Sequence, residues 1–330
     1  MIEVSVPVRI CDNGGWTDTW FGTPGKVLNI AVGPGVDVSI RTTDGPDPVV
    51  VDVGGAGDRY AVTPGSSRTA RHRLVEAAID LLPPRGGPAI EIAVKSAVPA
   101  GCGAGTSAAV AVAILGGLSA ARSDARTRRE IAYLAHRLEV EVLGAESGIQ
   151  DQLSAAFGGI NYIEIDSYPE ATVQSMGEWG ELGARLSLVF LGRAHDSSGV
   201  HRKVIDRLTN GSSSTALGAL RSAAVAARDA VVARDLHAFG RAMIANTDGQ
   251  RALHPRLVGA DADRVFDCAS RESALGWKVN GAGGDGGSVT ILHARPDHKD
   301  VFRDHLAQLD PRYRVLECSI APGLEIKGAL

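Results

Sequence analysis

A two-lobed α+β fold is what this sequence predicts, and three observations predict it. Its 330 residues, 44% apolar and 22% charged, suffice for two domains or two tightly joined lobes. Stretches of period two and of period 3.6 follow one another along the whole chain. They do so without the steady strand-helix alternation of a doubly wound sheet, which selects α+β over α/β.

The elements follow in order. The first third reads as strands broken by turns, one of them ending near Arg9. Val36-Asp37-Val38-Ser39-Ile40 alternates apolar and polar, as does Ala89-Ile90-Glu91-Ile92-Ala93-Val94. Between them Arg71 to Leu82 has helical spacing and stops at Pro83-Pro84. A small-residue helix is expected from Ser107 to Ala121. Thr127-Arg128-Arg129-Glu130 fits a capping box, with Thr127 as N-cap and Glu130 at N3. Ile131, Leu134, Ala135, Leu138 and Val142 continue that helix, and Gly144 is its expected stop. Asp151 to Phe157 reads as a further helix closed by Gly158-Gly159, and Ile160 to Ile165 as a strand.

Ser167 to Gly183, mostly polar, is the expected linker, dividing an N-terminal domain (1–170) from a C-terminal one (184–330). Beyond it come a strand at Leu186 to Leu191 and alanine-rich helices between Ser214 and Leu275. A strand at Ser288 to Leu292, a helix at Asp297 to Leu309 and a strand at Arg314 to Ile320 follow.

Composition excludes several classes. A net charge of −4 offers no basic field for nucleic acid and no polybasic membrane anchor. The uncharged stretch Ser96 to Ala121 contains Pro99, and its apolar part, Ala108 to Leu118, is too short to cross a bilayer. No basic n-region precedes an apolar run at the start, so no signal peptide is expected. Cys11, Cys102, Cys268 and Cys318 lack metal-ligand spacing, which fits a reduced, cytoplasmic setting. A homodimer is left open. Forty glycines, against the ~23 of average composition, are clustered in loops where backbone can approach a ligand.

Four segments carry chemistry. Pro99-Ala100-Gly101-Cys102-Gly103-Ala104-Gly105-Thr106-Ser107 joins a strand to a helix. Its glycines, the helix N-terminus and two hydroxyls suit phosphate oxygens or Mg²⁺, although a plain capped turn would use the same residues. It lacks the lysine of a Walker A loop. Gly281, Gly283 and Gly286 have GxGxxG spacing, but a strand pattern follows, so a dinucleotide fold is excluded and a glycine-rich turn is the plain alternative. Arg9-Ile10-Cys11-Asp12-Asn13-Gly14-Gly15-Trp16-Thr17-Asp18 presents a ring and a carboxylate that suit a sugar, or equally a buried tryptophan beside a turn-capping Asp. Asp151, in Ser147-Gly148-Ile149-Gln150-Asp151-Gln152, is either an N-cap or a group that orients and deprotonates a hydroxyl.

Taken in this order, the four motifs resemble the GHMP small-molecule kinases, within their sugar-kinase branch. The segment ending at Ser107-Ala108 resembles the family's phosphate loop, and Gly281-Ala282-Gly283-Gly284 its C-terminal glycine motif. Gly148 to Gln152 with Ala156-Phe157-Gly158-Gly159, and Arg9 followed by Gly14-Gly15-x-Thr17-Asp18, are similar to heptose and fucose kinases. The resemblance implies two α+β lobes, the first with a mixed sheet, and an active site between them. It implies ATP on Gly101, Gly103, Ala104, Gly105, Thr106, Ser107, Gly283 and Gly284, with Mg²⁺ held by Ser107 and Glu139. Periodicity alone does not choose Glu139 over Glu141.

It further implies Asp151 and Arg9 as catalytic residues, and Gly15, Trp16, Thr17 and Asp18 against a monosaccharide phosphorylated at the anomeric O1. Galactokinases carry Gly-Glu-His-Thr-Asp where this chain has Gly14-Gly15-Trp16-Thr17-Asp18, so galactose is not the expected substrate. A non-sugar alcohol as acceptor, or a sugar and ATP sensor without turnover, are the alternatives. Asp285 is assigned no role. The loop His195 to Gly199 is a candidate to close over the acceptor, while His195, His201 and His254 are expected at structural or surface positions.

Overall fold

The computed structural model describes residues 1–54, 58–65, 71–85, 87–194, 204–205, 207 and 214–330. The loop 195–199 and His201 lie outside the described residues. In chain order the elements are β1 (Ile2–Asn13), β2 (Gly25–Thr43), β3 (Val49–Val53), β4 (Arg59–Val62), α1 (Arg73–Leu81), β5 (Ala89–Ser96), α2 (Thr106–Ala121), α3 (Arg128–Arg137) and α4 (Gln150–Phe157). Then come β6 (Ile160–Ser167), β7 (Glu170–Ser175), α5 (Gly180–Arg185), β8 (Leu186–Phe190), α6 (Ser214–Ala233), α7 (Leu236–Leu253), α8 (Ala260–Arg271), β9 (Gly276–Val279), β10 (Ser288–Leu292), α9 (His298–Leu309), β11 (Arg314–Leu316), β12 (Ser319–Ile320) and β13 (Glu325–Gly328).

The fold is α+β, as the unsteady alternation of periods predicts. Strand β2 is the spine of the first, mixed sheet. Its 19 residues are long enough to serve two neighbours in turn: Gly25–Ile30 pair with β6 and Val36–Thr43 with β5. Strand β1 lies along the other edge of β2, and the sheet runs outward through β5, β3 and β4. The β3–β5 pair is parallel. Four antiparallel strands, in the order β11-β8-β10-β9, make the second sheet, backed by α8 and α9.

Three expectations are corrected here. The 167–183 stretch is no linker: β7 pairs with β6, and α5 follows. Its alternation is short and its side chains polar because one face of an edge strand meets solvent, which hides it from a hydrophobicity pattern. The 1–170 and 184–330 segments also share a sheet, since β12 pairs with β2 and β13 with β1. Arg314 to Ile320, expected as one strand, is split between the two sheets.

Helix α2 aims the site. It is apolar on every side and buried over most of its length, as a helix wrapped by neighbours must be. Gly117 lets it lie close on the sheet, because a Cβ there would stand 2.9 Å from Ile40 Cδ1 and 3.1 Å from Val4 Cγ2. Its N-terminus therefore opens where the 99–105 loop leaves β5. The capping box at α3 forms as expected, with Thr127 N donating to Glu130 Oε2 at 2.7 Å and Glu130 N to Thr127 Oγ1 at 3.2 Å. The helix does not stay α to Val142. It widens into a π turn over Leu138–Val142, where Leu143 N donates to Leu138 O at 3.0 Å.

Candidate active site

The site begins at a β-bulge. Ile10 pairs with Ile30 and Asn13 with Leu28, so Cys11 and Asp12 together face the single residue Asn29. Cys11 takes φ +54, and its N–H leaves the ladder for Asn280 Oδ1 at 3.1 Å. Asp12 is thereby turned out of the sheet, toward the start of the 281–287 glycine run. The turn that follows is held by polar ties: Gly14 N donates to Asn246 Oδ1 at 2.6 Å, and Thr17 Oγ1 donates to Gly14 O at 2.7 Å while accepting from Lys26 N at 3.0 Å.

Thr17 and Gly15 thus build the turn and stand back from the cleft. Trp16 is 4% exposed, with its ring among Leu217, Leu220, Leu253 and Leu257, so the buried-anchor alternative describes it, although it also borders the cleft.

Across from this turn, Gly105 caps α2 with φ +68, and a Cβ there would lie 3.2 Å from Asp151 Oδ2. Ala104 is buried beneath the loop, where its carbonyl accepts from Arg9 N at 2.9 Å, tying the loop to β1. Gly101, Gly103, Gly105, Thr106 and Ser107 line a cleft of about 570 Å³.

The same cleft receives Arg9, Asp18, Glu139 and Asp151. Arg9 grips Asp151 with both edges of its fork, Nε to Oδ1 at 2.8 Å and Nη2 to Oδ2 at 3.0 Å, and Nη1 donates to Gly103 O. Burial works against the arginine's charge, but Asp151, then Asp12 and Asp18, raise its pKa above the ordinary value. Asp18 is pushed up to about 7, by burial first and by the Asp151 charge second, against a hydrogen bond from Gln150 N at 3.1 Å. Gly148 must be glycine for that contact, since its Cβ would fall 1.9 Å from Asp18 Oδ2.

The π turn decides between the two glutamates. Glu139 is buried and faces the cleft, where it accepts from Ser147 Oγ at 3.2 Å and from Gln152 Nε2, whereas Glu141 is exposed. Burial holds the Glu139 carboxyl above the usual range, and a hydrogen bond from Ser107 opposes this.

Two expected phosphate-binding glycines also lie away from the cleft. Gly284 N donates to Leu257 O at 2.8 Å, and a Cβ on Gly283 would meet Leu257 O at 2.1 Å, so both face the α7–α8 connection rather than the cleft; Gly281 and Ala282 reach it instead. Sequence reasoning also missed Asp12 and Lys278. Lys278 is fully buried, its Nζ 2.9 Å from Asp12 Oδ1. The signal available was a lysine between Trp277 and Val279 in an apolar strand, but its partner lies 266 positions away.

The cleft fits a phosphate-bearing ligand with a divalent cation. Thr106 Oγ1, Gln150 Oε1 and Gln152 Oε1 are buried at or behind its wall with no hydrogen-bond partner among the described residues. Ser107 and Glu139 offer hard oxygen ligands suited to Mg²⁺. Among the described residues no helix is long and apolar enough to cross a membrane.

Residues 73–159 match the family model for the GHMP kinases N terminal domain. The D-glycero-alpha-D-manno-heptose 7-phosphate kinase of Campylobacter jejuni is 26% identical over 161 residues, 48% of each chain. The bifunctional fucokinase/GDP-fucose pyrophosphorylase of Arabidopsis thaliana is 27% identical over 88% of this chain and 30% of its own. A mevalonate kinase of Thermococcus sibiricus is 32% identical over 60% of this chain and 58% of its own. The matches therefore span less than two thirds of each of these relatives. A solved D-glycero-D-manno-heptose 1-phosphate kinase from Bacteriodes thetaiotaomicron has the same fold over 99% of both chains, with a TM-score of 0.78 at 22% identity.

Proposed function

Because the chain belongs to the GHMP kinases, with their N-terminal domain at residues 73–159, we propose that it transfers the γ-phosphoryl group of ATP to a hydroxyl of a monosaccharide, a heptose or fucose-like sugar, at the anomeric O1. The observation that carries this reading is the two-pronged Arg9–Asp151 pair at 2.8 and 3.0 Å, set in the cleft beside the Gly101–Ser107 loop.

Mg²⁺ and ATP, when bound, supply the phosphoryl group and neutralise charge on its oxygens. Ser107 and Glu139 would hold the metal, and the loop's backbone and Thr106 Oγ1 the phosphates. Asp151 keeps unused lone pairs beside the two that Arg9 occupies, and with them it orients the acceptor hydroxyl and takes its proton. Arg9 fixes the carboxylate's plane and brings positive charge to a loose, anionic transition state, for which positioning and charge supply most of the catalysis. Asp18, held beside Asp151 by Gln150 N, receives the sugar's other hydroxyls.

The 32% identity to a mevalonate kinase favours one second reading, a non-sugar alcohol as acceptor. ATP consumption over a panel of heptoses, fucose, galactose, heptose phosphates, mevalonate and homoserine separates the two, with NMR of the product to locate the phosphate. Turnover with a free sugar and a new phosphate on O1 is expected. Turnover confined to mevalonate or homoserine would replace the sugar reading, and consumption with no compound would end the kinase reading.

A further inference from the structure

Behind the cleft lies a buried ion pair that the phosphoryl-transfer scheme leaves without a task. Asp12 is 1% exposed and Lys278 0%. Lysine Nζ donates to Asp12 Oδ1 at 2.9 Å and to Val279 O at 2.6 Å. Gly281 N donates to both carboxylate oxygens of Asp12 at 3.1 Å. Asp12 borders the cleft, yet both its oxygens are committed to these groups rather than to a ligand. Taking two charges out of water costs several kcal/mol each, and a hydrophobic pair is often as stable, so stability alone is a weak reason for this pair to be here.

What the pair holds is the turn against Arg9. A Cβ on Gly281 would stand 3.1 Å from Arg9 Nη2 and 2.7 Å from Gly103 O, the carbonyl that accepts from Arg9 Nη1. The turn therefore packs against the Nη1–Nη2 end of the guanidinium, beside the nitrogen that donates to Asp151. Gln250 Nε2 supports the same turn through Gly281 O at 3.2 Å. On the first sheet the bulge, with Cys11 at φ +54, is what delivers Asp12 to this position. Backbone held in that sparsely populated region is retained where the surroundings over-determine it.

We infer that Asp12 and Lys278 are a positioning pair: by pinning the Gly281 turn they lock the Arg9 fork on Asp151, joining the two sheets at the reacting centre. The inference rests on the kinase reading for its consequence in catalysis, and on geometry alone for its effect on Arg9. Single variants strand a buried charge and are expected to unfold or melt early. The double variant Asp12→Ala/Lys278→Met removes both charges together and should recover most of the wild-type melting temperature.

Two measurements on that double variant test the inference. Hydrogen exchange at Arg9 Nε, followed by NMR and assigned with Arg9→Lys, should speed up at least tenfold, since the proton is no longer locked on Asp151. In the panel assay, kcat should fall about 10- to 100-fold while KM for ATP and for the acceptor stays within threefold. A folded double variant with wild-type Arg9 exchange overturns the inference whether or not the chain is a kinase. Wild-type kcat in that variant overturns it as well. Absence of turnover in the wild type counts against the kinase reading alone, and the exchange result then decides the inference.

Discussion

Asp18 sets up a pH dependence that can be worked out from its surroundings. The carboxyl is buried, faces the Asp151 charge and is pushed from 3.8 to about 7 in the folded protein. Between those two values the folded state keeps a proton that the unfolded chain has lost, so stability falls as pH rises through the window. The penalty is absent below about 3.8 and complete above about 7. At ~1.4 kcal/mol per pH unit it reaches roughly 4 kcal/mol. Asp18→Asn keeps an acceptor for Gln150 N and cannot ionise.

Between pH 4.5 and 7.5 the wild type should lose roughly 3 kcal/mol more than the variant, since titrating groups not coupled to Asp18 cancel in the difference. Urea unfolding of both proteins at three pH values in that range, followed by tryptophan fluorescence, measures it. The variant should also bind the acceptor more weakly while binding ATP normally. Parallel stability profiles for the two proteins would refute the reasoning, because they would mean that Asp18 is ionised and adequately solvated in the fold.

Four further outcomes are expected. Asp151→Asn should lower kcat by roughly 10²–10⁴ with nucleotide binding retained, as steady-state kinetics and nucleotide titration would show; activity within a few-fold of wild type removes Asp151 from the mechanism. Trp16→Ala should destabilise the fold by roughly 3–5 kcal/mol through the cavity left among Leu217, Leu220, Leu253 and Leu257, whereas an unchanged melting curve with lost sugar affinity would make the ring a ligand contact. Gly148→Ala sets a methyl 1.9 Å from Asp18 Oδ2 and should raise the acceptor KM at least tenfold without altering ATP binding. Thr127→Ala removes a cap far from the cleft and should cost ~1 kcal/mol in urea unfolding with kinetics untouched.

The legible parts of this protein were those whose cause is local. The capping box at Thr127, the Pro83-Pro84 stop and the alternating strands at 36–40 and 89–94 each depend on neighbours within a few positions, and each forms. The glycine loop was readable for the same reason, since positive φ and a helix start are written in adjacent residues. Glu139 was not separable from Glu141, because a π turn shifts helical phase without a sequence mark, and only the fold shows which side chain is buried. The places of Gly283 and Gly284 depended on Leu257, and Asp12 on Lys278, contacts that no window of neighbouring residues contains. Strand β7 escaped notice because it lies on an edge, where burial imposes little pattern.

The return of β13 to the first strand has a consequence for how the chain is made. Met1 N donates to Ala329 O at 2.7 Å, 328 positions apart, and Ile2 to Ser5 pair with Glu325 to Gly328. Strand β1 is synthesised well before β13, so this edge is paired only after the residues between them have been translated. Until then one flank of β1 offers its unpaired backbone groups to any extended peptide nearby.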